Sequence, residues 1–315
     1  VPDCKGEEVK KAINKADYGD VIVLENLRFY AEEEECDLNF AKSLSEFANV
    51  YVNDAFSCSH RGHASILGVP LYIKPVAGFA FAREVWSIQS VLSGACIGER
   101  VAVVGGSKVS TKIDVLKNMV KNVDILVVGG GMANTFLFAD GCKIGSSLCE
   151  EGLADVVKEV YKNAEENGCR IVVPRSVVVA KEVRHDAEFR VIDVSEIEED
   201  EMILDVAENF VNDLKPLFEK AGSVMWNGPL GVFEVQPFHK GTFAMANLIG
   251  DVVKKDKKKI AIAGGGDSVA AINLTKRGGD FSFISNAGGA FLEFIEGKVL
   301  PGVEILKRMK TVYHD

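Results

Sequence analysis

The chain has 315 residues, 47% of them hydrophobic, with 46 acidic side chains against 36 basic ones and a formal charge of −10. That acidic balance argues against a nucleic acid or an anionic membrane as partner for the surface as a whole. No apolar run approaches the roughly 20 residues that cross a bilayer, and the length suits two lobes of about 100–200 residues better than one.

The opening residues, Val1-Pro2-Asp3-Cys4-Lys5, form neither an initiator methionine nor a secretory signal, so the chain is expected to begin inside a longer protein. Seven cysteines (Cys4, Cys36, Cys58, Cys96, Cys142, Cys149 and Cys169) are odd in number and lack a C-x-x-C pair. They read as reduced thiols of a cytoplasmic protein.

In chain order, short β-branched runs fall at residues 21–24, 50–52, 101–104, 125–128, 171–173, 224–226, 260–263 and 281–284. Each precedes a polar or glycine-rich turn and then a helical pattern, the alternation that builds parallel sheets covered on both faces. Between the second and third runs, residues 82–98 carry Val85, Ile88 and Leu92 at helical spacing and predict a long connecting helix. Helices are predicted over residues 113–121 and 153–167, and the six runs beyond residue 98 suffice for one doubly wound sheet. Two charge runs, residues 32–35 and 254–259, read as solvated surface.

Ligands of open parallel sheets gather at the carboxyl ends of strands, where helix amino termini offer free N–H groups to anions. Three glycine clusters follow predicted strands: Gly105-Gly106-Ser107-Lys108, Gly129-Gly130-Gly131-Met132 and Gly264-Gly265-Gly266-Asp267-Ser268. Reading on from Gly129-x-Gly131 or Gly264-x-Gly266 puts Asn134 or Val269 where a dinucleotide fingerprint wants its third glycine, and no G-x-x-x-x-G-K-[S/T] occurs. If the helix begins at Val109, Lys108 and Lys112 present two ammonium groups on one face at the strand mouth, an arrangement suited to a polyphosphate. Asp267, directly after three glycines, reads either as a helix cap or as a carboxylate that steers Mg²⁺.

These segments together carry a family resemblance. Leu24-Glu25-Asn26-Leu27-Arg28-Phe29, Val52-Asn53-Asp54-Ala55-Phe56 with Ser59-His60-Arg61-Gly62-His63, Gly105-Gly106-Ser107-Lys108-Val109-Ser110-Thr111-Lys112, Gly129-Gly130-Gly131-Met132-Ala133, Trp226-Asn227-Gly228-Pro229-Leu230-Gly231-Val232-Phe233-Glu234, residues 264–268 and Glu296-Gly297-Lys298-Val299-Leu300-Pro301-Gly302-Val303 resemble the successive blocks of phosphoglycerate kinases, in order. The resemblance implies an α/β fold of two Rossmann-like lobes with parallel sheets covered by helices. The lobes are joined by a long interdomain helix, and the amino-terminal lobe is incomplete. Residues 1–81 would form part of the phosphoglycerate-binding domain, 82–98 the connecting helix and 99–284 the Mg-nucleotide domain. Residues 285–315 would return to the first domain.

Carried over residue by residue, the family pattern makes Arg28 and Arg61 the holders of phosphoglycerate, with His60 and His63 beside them. Guanidinium forks suit such oxyanions. Lys108, Lys112, Gly129, Gly130, Asn227, Glu234, Gly265, Gly266, Asp267 and Ser268 would bind nucleotide. Among these, Glu234 resembles the acceptor of the ribose hydroxyls, and Asp267 is directed to Mg²⁺. Lys108, Gly265 and Gly266 would be catalytic. The implied reaction is phosphoryl transfer between 1,3-bisphosphoglycerate and ADP, giving 3-phosphoglycerate and ATP, by a monomer whose lobes close over small-molecule substrates.

The family's opening blocks, including an arginine that stabilises the moving phosphoryl group and is worth on the order of 10³–10⁵ in related reactions, have no counterpart after Val1. This chain is therefore expected to be catalytically impaired and unstable in its first lobe. Ser285-Asn286-Ala287-Gly288-Gly289 and Arg175-Ser176 also depart from the family pattern. Two other readings remain open at this point: a module that binds nucleotide without transferring phosphate, and an oxidoreductase, which the missing fingerprint disfavours.

Overall fold

The computed structural model describes residues 1–93 and 96–312. Its strands are β1 (Val50–Asn53), β2 (Lys74–Ala77), β3 (Glu99–Val104), β4 (Ile125–Val128), β5 (Arg170–Val172), β6 (Ser176–Ala180), β7 (Phe189–Asp193), β8 (Met202–Val206), β9 (Ala221–Asn227), β10 (Ile260–Gly264) and β11 (Phe283–Ser285). The chain divides into two compact units, Val1–Val85 with the segment from Lys298 onward, and Trp86–Gly297. These divisions fall at 85/86 and 297/298, where the sequence suggested 81–98 and 285.

In the first unit β1 and β2 pair in parallel, Val50 opposite Lys74 and Asn53 opposite Ala77. Beneath them Cys4, Phe40, Ala41, Ala64 and Val69 form a small core, against which Leu24, Leu27, Tyr30 and Tyr51 pack. The strand predicted at residues 21–24 is absent. That segment is irregular, with Val21 88% and Val23 73% exposed, because only β1 and β2 make up this sheet and neither pairs with it. The sequence had not marked β2, since Pro75 interrupts its apolar pattern; proline is tolerated on a sheet edge, where its missing N–H costs no ladder bond. The acidic run also needs correcting. Glu34 and Glu35 are exposed, but Glu33 is buried.

Helix Phe79–Leu92 carries the chain from the first unit into the second. It starts three residues before the predicted helix because the Asp54 carboxylate accepts the Phe81 amide at 2.8 Å, satisfying a first-turn N–H that would otherwise lack a partner. Residues 96–98 are not helical, and residues 94–95 of that expectation lie outside the described residues.

The six runs predicted beyond residue 98 form one parallel sheet, ordered β11-β10-β9-β3-β4-β5. Its central strands are buried on both faces, as their unbroken apolar runs require. Val101, Val103, Val127, Val224 and Trp226 pack on one side against Met245, Ala246, Ile249 and Val253 of helix Lys240–Lys255. Helices Ile113–Asn122 and Ala154–Glu166 occur where the periodicity placed them.

A second, antiparallel sheet, β7-β6-β8, has no counterpart in the sequence reading. Its middle strand alternates, Val177 and Val179 facing Ile192 and Ile197 while Val178 and Ala180 face Leu204. Only Val173, Pro174 and Arg175 separate β5 from β6, so two strands of different sheets looked like the tail of one.

Candidate functional site

Three neighbouring strands of the six-stranded sheet end together. Val104 of β3 and Gly264 of β10 both lie opposite Asn227 of β9, so the segments after them share one rim. The loops there are stitched by backbone. The Gly105 N–H donates to Asn227 O at 2.9 Å, Gly106 N–H to Pro229 O at 3.0 Å and Gly130 N–H to Leu230 O at 3.0 Å. A Cβ on Gly105 would stand 2.0 Å from the Pro229 carbonyl oxygen, which is why no larger residue fits.

Side chains complete the rim. Asn227 Nδ2 donates to Gly264 O at 2.8 Å, Trp226 Nε1 to Gly228 O at 2.7 Å, and the Gly228 N–H to Ser268 Oγ at 2.6 Å. Asn227 is buried and its Oδ1 has no partner, a costly state unless something fills it. Gly265, at φ 96°, turns the chain into helix Gly266–Leu274, a conformation that favours glycine. The free amides of the first turn therefore open beside Asn227, with Asp267 exposed among them.

The lysines do not share a helical face. The helix begins at Ile113 with Lys112 as its cap, and residues 105–112 form an irregular loop. Lys112 turns inward, and Nζ donates to Gly105 O at 2.7 Å and Asn227 O at 3.2 Å. Burial pulls its ammonium down to about 8, with Asp267 opposing the shift. Lys108 remains exposed on the loop.

Beside the rim lies a cavity of about 420 Å³, lined by Gly106, Gly130, Gly131, Leu230, Glu234 and Asp267 among others. Gly129 sits below it, where a Cβ would meet Leu230 Cδ2 at 2.3 Å, and Met132 is in the core. Two residues that the sequence reading passed over also organise this region. Asp205 is buried and accepts the Gly241 and Val206 amides at 2.7 and 2.9 Å. Burial drives its carboxyl well above the usual range despite those bonds. The other is Glu150, which grips Ser110. A carboxylate inside the apolar run Ile203-Leu204-Asp205-Val206 was a readable signal for Asp205; Glu150, in Cys149-Glu150-Glu151, offered none.

In the first unit, Arg28 lies in a short turn capped by the Asn26 side chain, and its guanidinium reaches Cys58 Sγ at 3.6 Å. Arg61 is exposed, His60 half-buried and His63 buried. Burial depresses His63. Glu33, 3.7 Å from Nδ1, opposes that, and the fields of both Arg28 and Arg61 reinforce it. This unit thus gathers a cationic patch. Glu33 underpins it by accepting Ser65 N–H at 2.9 Å and Ser65 Oγ–H at 2.5 Å.

Among the described residues, no helix is long and apolar enough to cross a membrane. No group of three or more His, Cys, Asp or Glu there could hold a metal ion by itself.

Residues 1–298 match the family model described as Phosphoglycerate kinase. The chain is 47% identical over 306 residues to a phosphoglycerate kinase of Xanthobacter flavus, covering 97% of this chain and 77% of that one. It is likewise 47% identical over 307 residues to that of Zymomonas mobilis, at 98% and 77% coverage. The fold is similar to a phosphoglycerate kinase from Coxiella burnetii, with TM-score 0.84 and 41% identity over 92% of this chain and 74% of that one. It is also similar to one from Pyrococcus horikoshii, with TM-score 0.80 and 28% identity over 99% and 79%.

Proposed function

The chain belongs to the phosphoglycerate kinase family, and from that premise we propose how its residues divide the work of moving a phosphoryl group between 1,3-bisphosphoglycerate and ADP. The observation that carries the assignment is the shared rim at the ends of β3, β9 and β10. An inward lysine, an unpartnered amide oxygen and a helix amino terminus adjoin one another there. Each suits one part of a Mg-polyphosphate.

On the nucleotide side, the Gly265 and Gly266 amides and Lys112 Nζ hold phosphate oxygens, Lys108 supplies a second cation from its loop, and Ser268 keeps the Gly228 turn in place. Gly130 forms one wall of the base pocket, over the packed Gly129, and Glu234 accepts the ribose hydroxyls. Asp267 is an exposed carboxylate that belongs to no group of three or more metal-ligating side chains among the described residues, too few ligands for a cation on its own. It fits Mg²⁺ that arrives already bound to the nucleotide, because this ion keeps several waters and takes only one or two carboxylates beside phosphate oxygens. The ion's contribution there is neutralisation of phosphate charge.

On the phosphoglycerate side, Arg28 and Arg61 bind the phosphate and carboxylate through planar donor forks, with His60 and His63 extending the patch. No covalent enzyme intermediate is needed, because phosphoryl transfer is chiefly positioning and charge stabilisation. Lys108, Gly265 and Gly266 supply that stabilisation at the moving group. We read the enzyme as a cytoplasmic monomer with reduced thiols, in keeping with seven cysteines that form no disulfide.

Calorimetry with 3-phosphoglycerate and Mg-ADP on the Arg61→Ala chain tests this division. Phosphoglycerate affinity is expected to fall about 30-fold or more, the scale of a lost charged hydrogen bond, with Mg-ADP affinity unchanged. Equal losses for both ligands would overturn the assignment of substrates to units.

A further inference from the structure

We infer that Glu150 is a positioning residue for the phosphate-binding loop, holding residues 105–112 in the irregular path that turns Lys112 inward. The inference rests on the nucleotide-site reading above. The Lys108-Val109-Ser110-Thr111-Lys112 spacing suits a helix, yet the helix starts only at Ile113. Few bonds support the detour from within: Thr111 Oγ1 donates to Lys108 O at 2.9 Å, the Lys112 N–H to Val109 O at 2.9 Å and Lys112 Nζ to Gly105 O at 2.7 Å.

From outside, Gly105, Gly106 and Lys112 are tied to Asn227 and Pro229 at the end of β9, and the middle of the loop is held by a carboxylate forty residues away. Glu150 Oε2 accepts the Ser110 N–H at 2.9 Å and Oε1 accepts the Ser110 hydroxyl at 2.5 Å. Both are charge-assisted bonds, which are shorter and stronger than neutral ones. Desolvation pushes the Glu150 carboxyl up, but the Ser110 hydroxyl, the Ser110 and Val109 amides and Lys108 outweigh it and hold the group below its usual range.

Glu150 is itself anchored. Its N–H donates to Thr135 Oγ1 at 3.2 Å, and two residues earlier Leu148 O accepts from Asn134 Nδ2 at 3.1 Å. Thr135 and Asn134 are buried in helix Gly131–Ala139, which opens at the cavity wall. One rigid helix thus fixes both the base-side wall and, through Glu150, the cationic loop. Geometry of this kind sets how well a polyphosphate is received, because misplacement of a positioned group by about 1 Å is costly.

The test compares Mg-ADP with adenosine, which uses the same cavity but carries no phosphate. By calorimetry, Glu150→Ala is expected to weaken Mg-ADP about tenfold and leave adenosine unchanged. Glu150→Gln keeps one acceptor and should lose less, and Ser110→Ala combined with Glu150→Ala should be no worse than Glu150→Ala alone. Unchanged Mg-ADP affinity in Glu150→Ala, or an equal loss for adenosine, would overturn the inference. If the unmodified chain bound adenosine but gained nothing from the phosphates of Mg-ADP, the nucleotide-site reading itself would fall, and this inference with it.

Discussion

The strand-end rim of the second unit and the cationic patch of the first are built on different principles. At the rim, position comes from backbone: three parallel strands in register end side by side, and glycines let their loops touch. In the patch, Arg28, His60, Arg61 and His63 sit on short turns around a two-stranded sheet, and two polar side chains, the exposed Asn26 and the buried Glu33, fix those turns. A backbone-built site resists side-chain changes outside its contacts but not an added Cβ. A site built from side chains has its weak points one layer below the ligand.

Gly105→Ala should break the rim most severely. Its Cβ would stand 2.0 Å from a main-chain oxygen, and such an overlap is relieved only by shifting main chain at the strand ends, at a cost of about 3 kcal/mol or more. Urea denaturation should show that loss together with abolished Mg-ADP binding. A variant within about 0.5 kcal/mol of the parent, of the size expected for a neutral surface change, would mean that the loops are not held by close approach.

Next in size is Lys112→Ala, expected to weaken Mg-ADP about 30-fold on the scale of a charged hydrogen bond. The parent should also lose Mg-ADP affinity as pH rises through about 8, where this lysine gives up its proton, and the variant should lack that step. The unliganded fold moves the other way. Between about 8 and the ordinary lysine value of 10.5 the unfolded chain binds a proton that the folded one does not, so stability rises with pH in that window. A pH-independent affinity above 8 would remove the Lys112 ammonium from the site.

The patch should respond to Glu33 less severely, and in one ligand only. Glu33→Ala leaves the Ser65 amide and hydroxyl without their acceptor, a penalty of about 1–3 kcal/mol, and phosphoglycerate affinity should drop several-fold with Mg-ADP unaffected. The smallest effect is the control: exposed Glu34→Ala should alter stability by less than about 0.5 kcal/mol. If the two glutamates behaved alike in thermal melts, buried side-chain support would not distinguish the patch from the rim.

Period and composition determined a good deal without help. Six apolar runs beyond residue 98 became the six strands of one sheet, since strands buried on both faces announce themselves locally, and the glycine clusters marked the loops because only glycine permits such close turns. The order of those strands, which set Asn227 between Gly105 and Gly264, came from tertiary pairing, between residues as far apart in the chain as Val104 and Asn227. So did the antiparallel sheet, whose members look like fragments until they meet, and the irregular segment at residues 21–24, whose valines look like a strand but have no neighbour to bond. Glu33 and Glu150 belong to the same class. A carboxylate in a sequence reads as solvated, and only the folded chain decides which ones are enclosed with amides to accept, because burial and hydrogen-bond partners are properties of the packing and not of the residue.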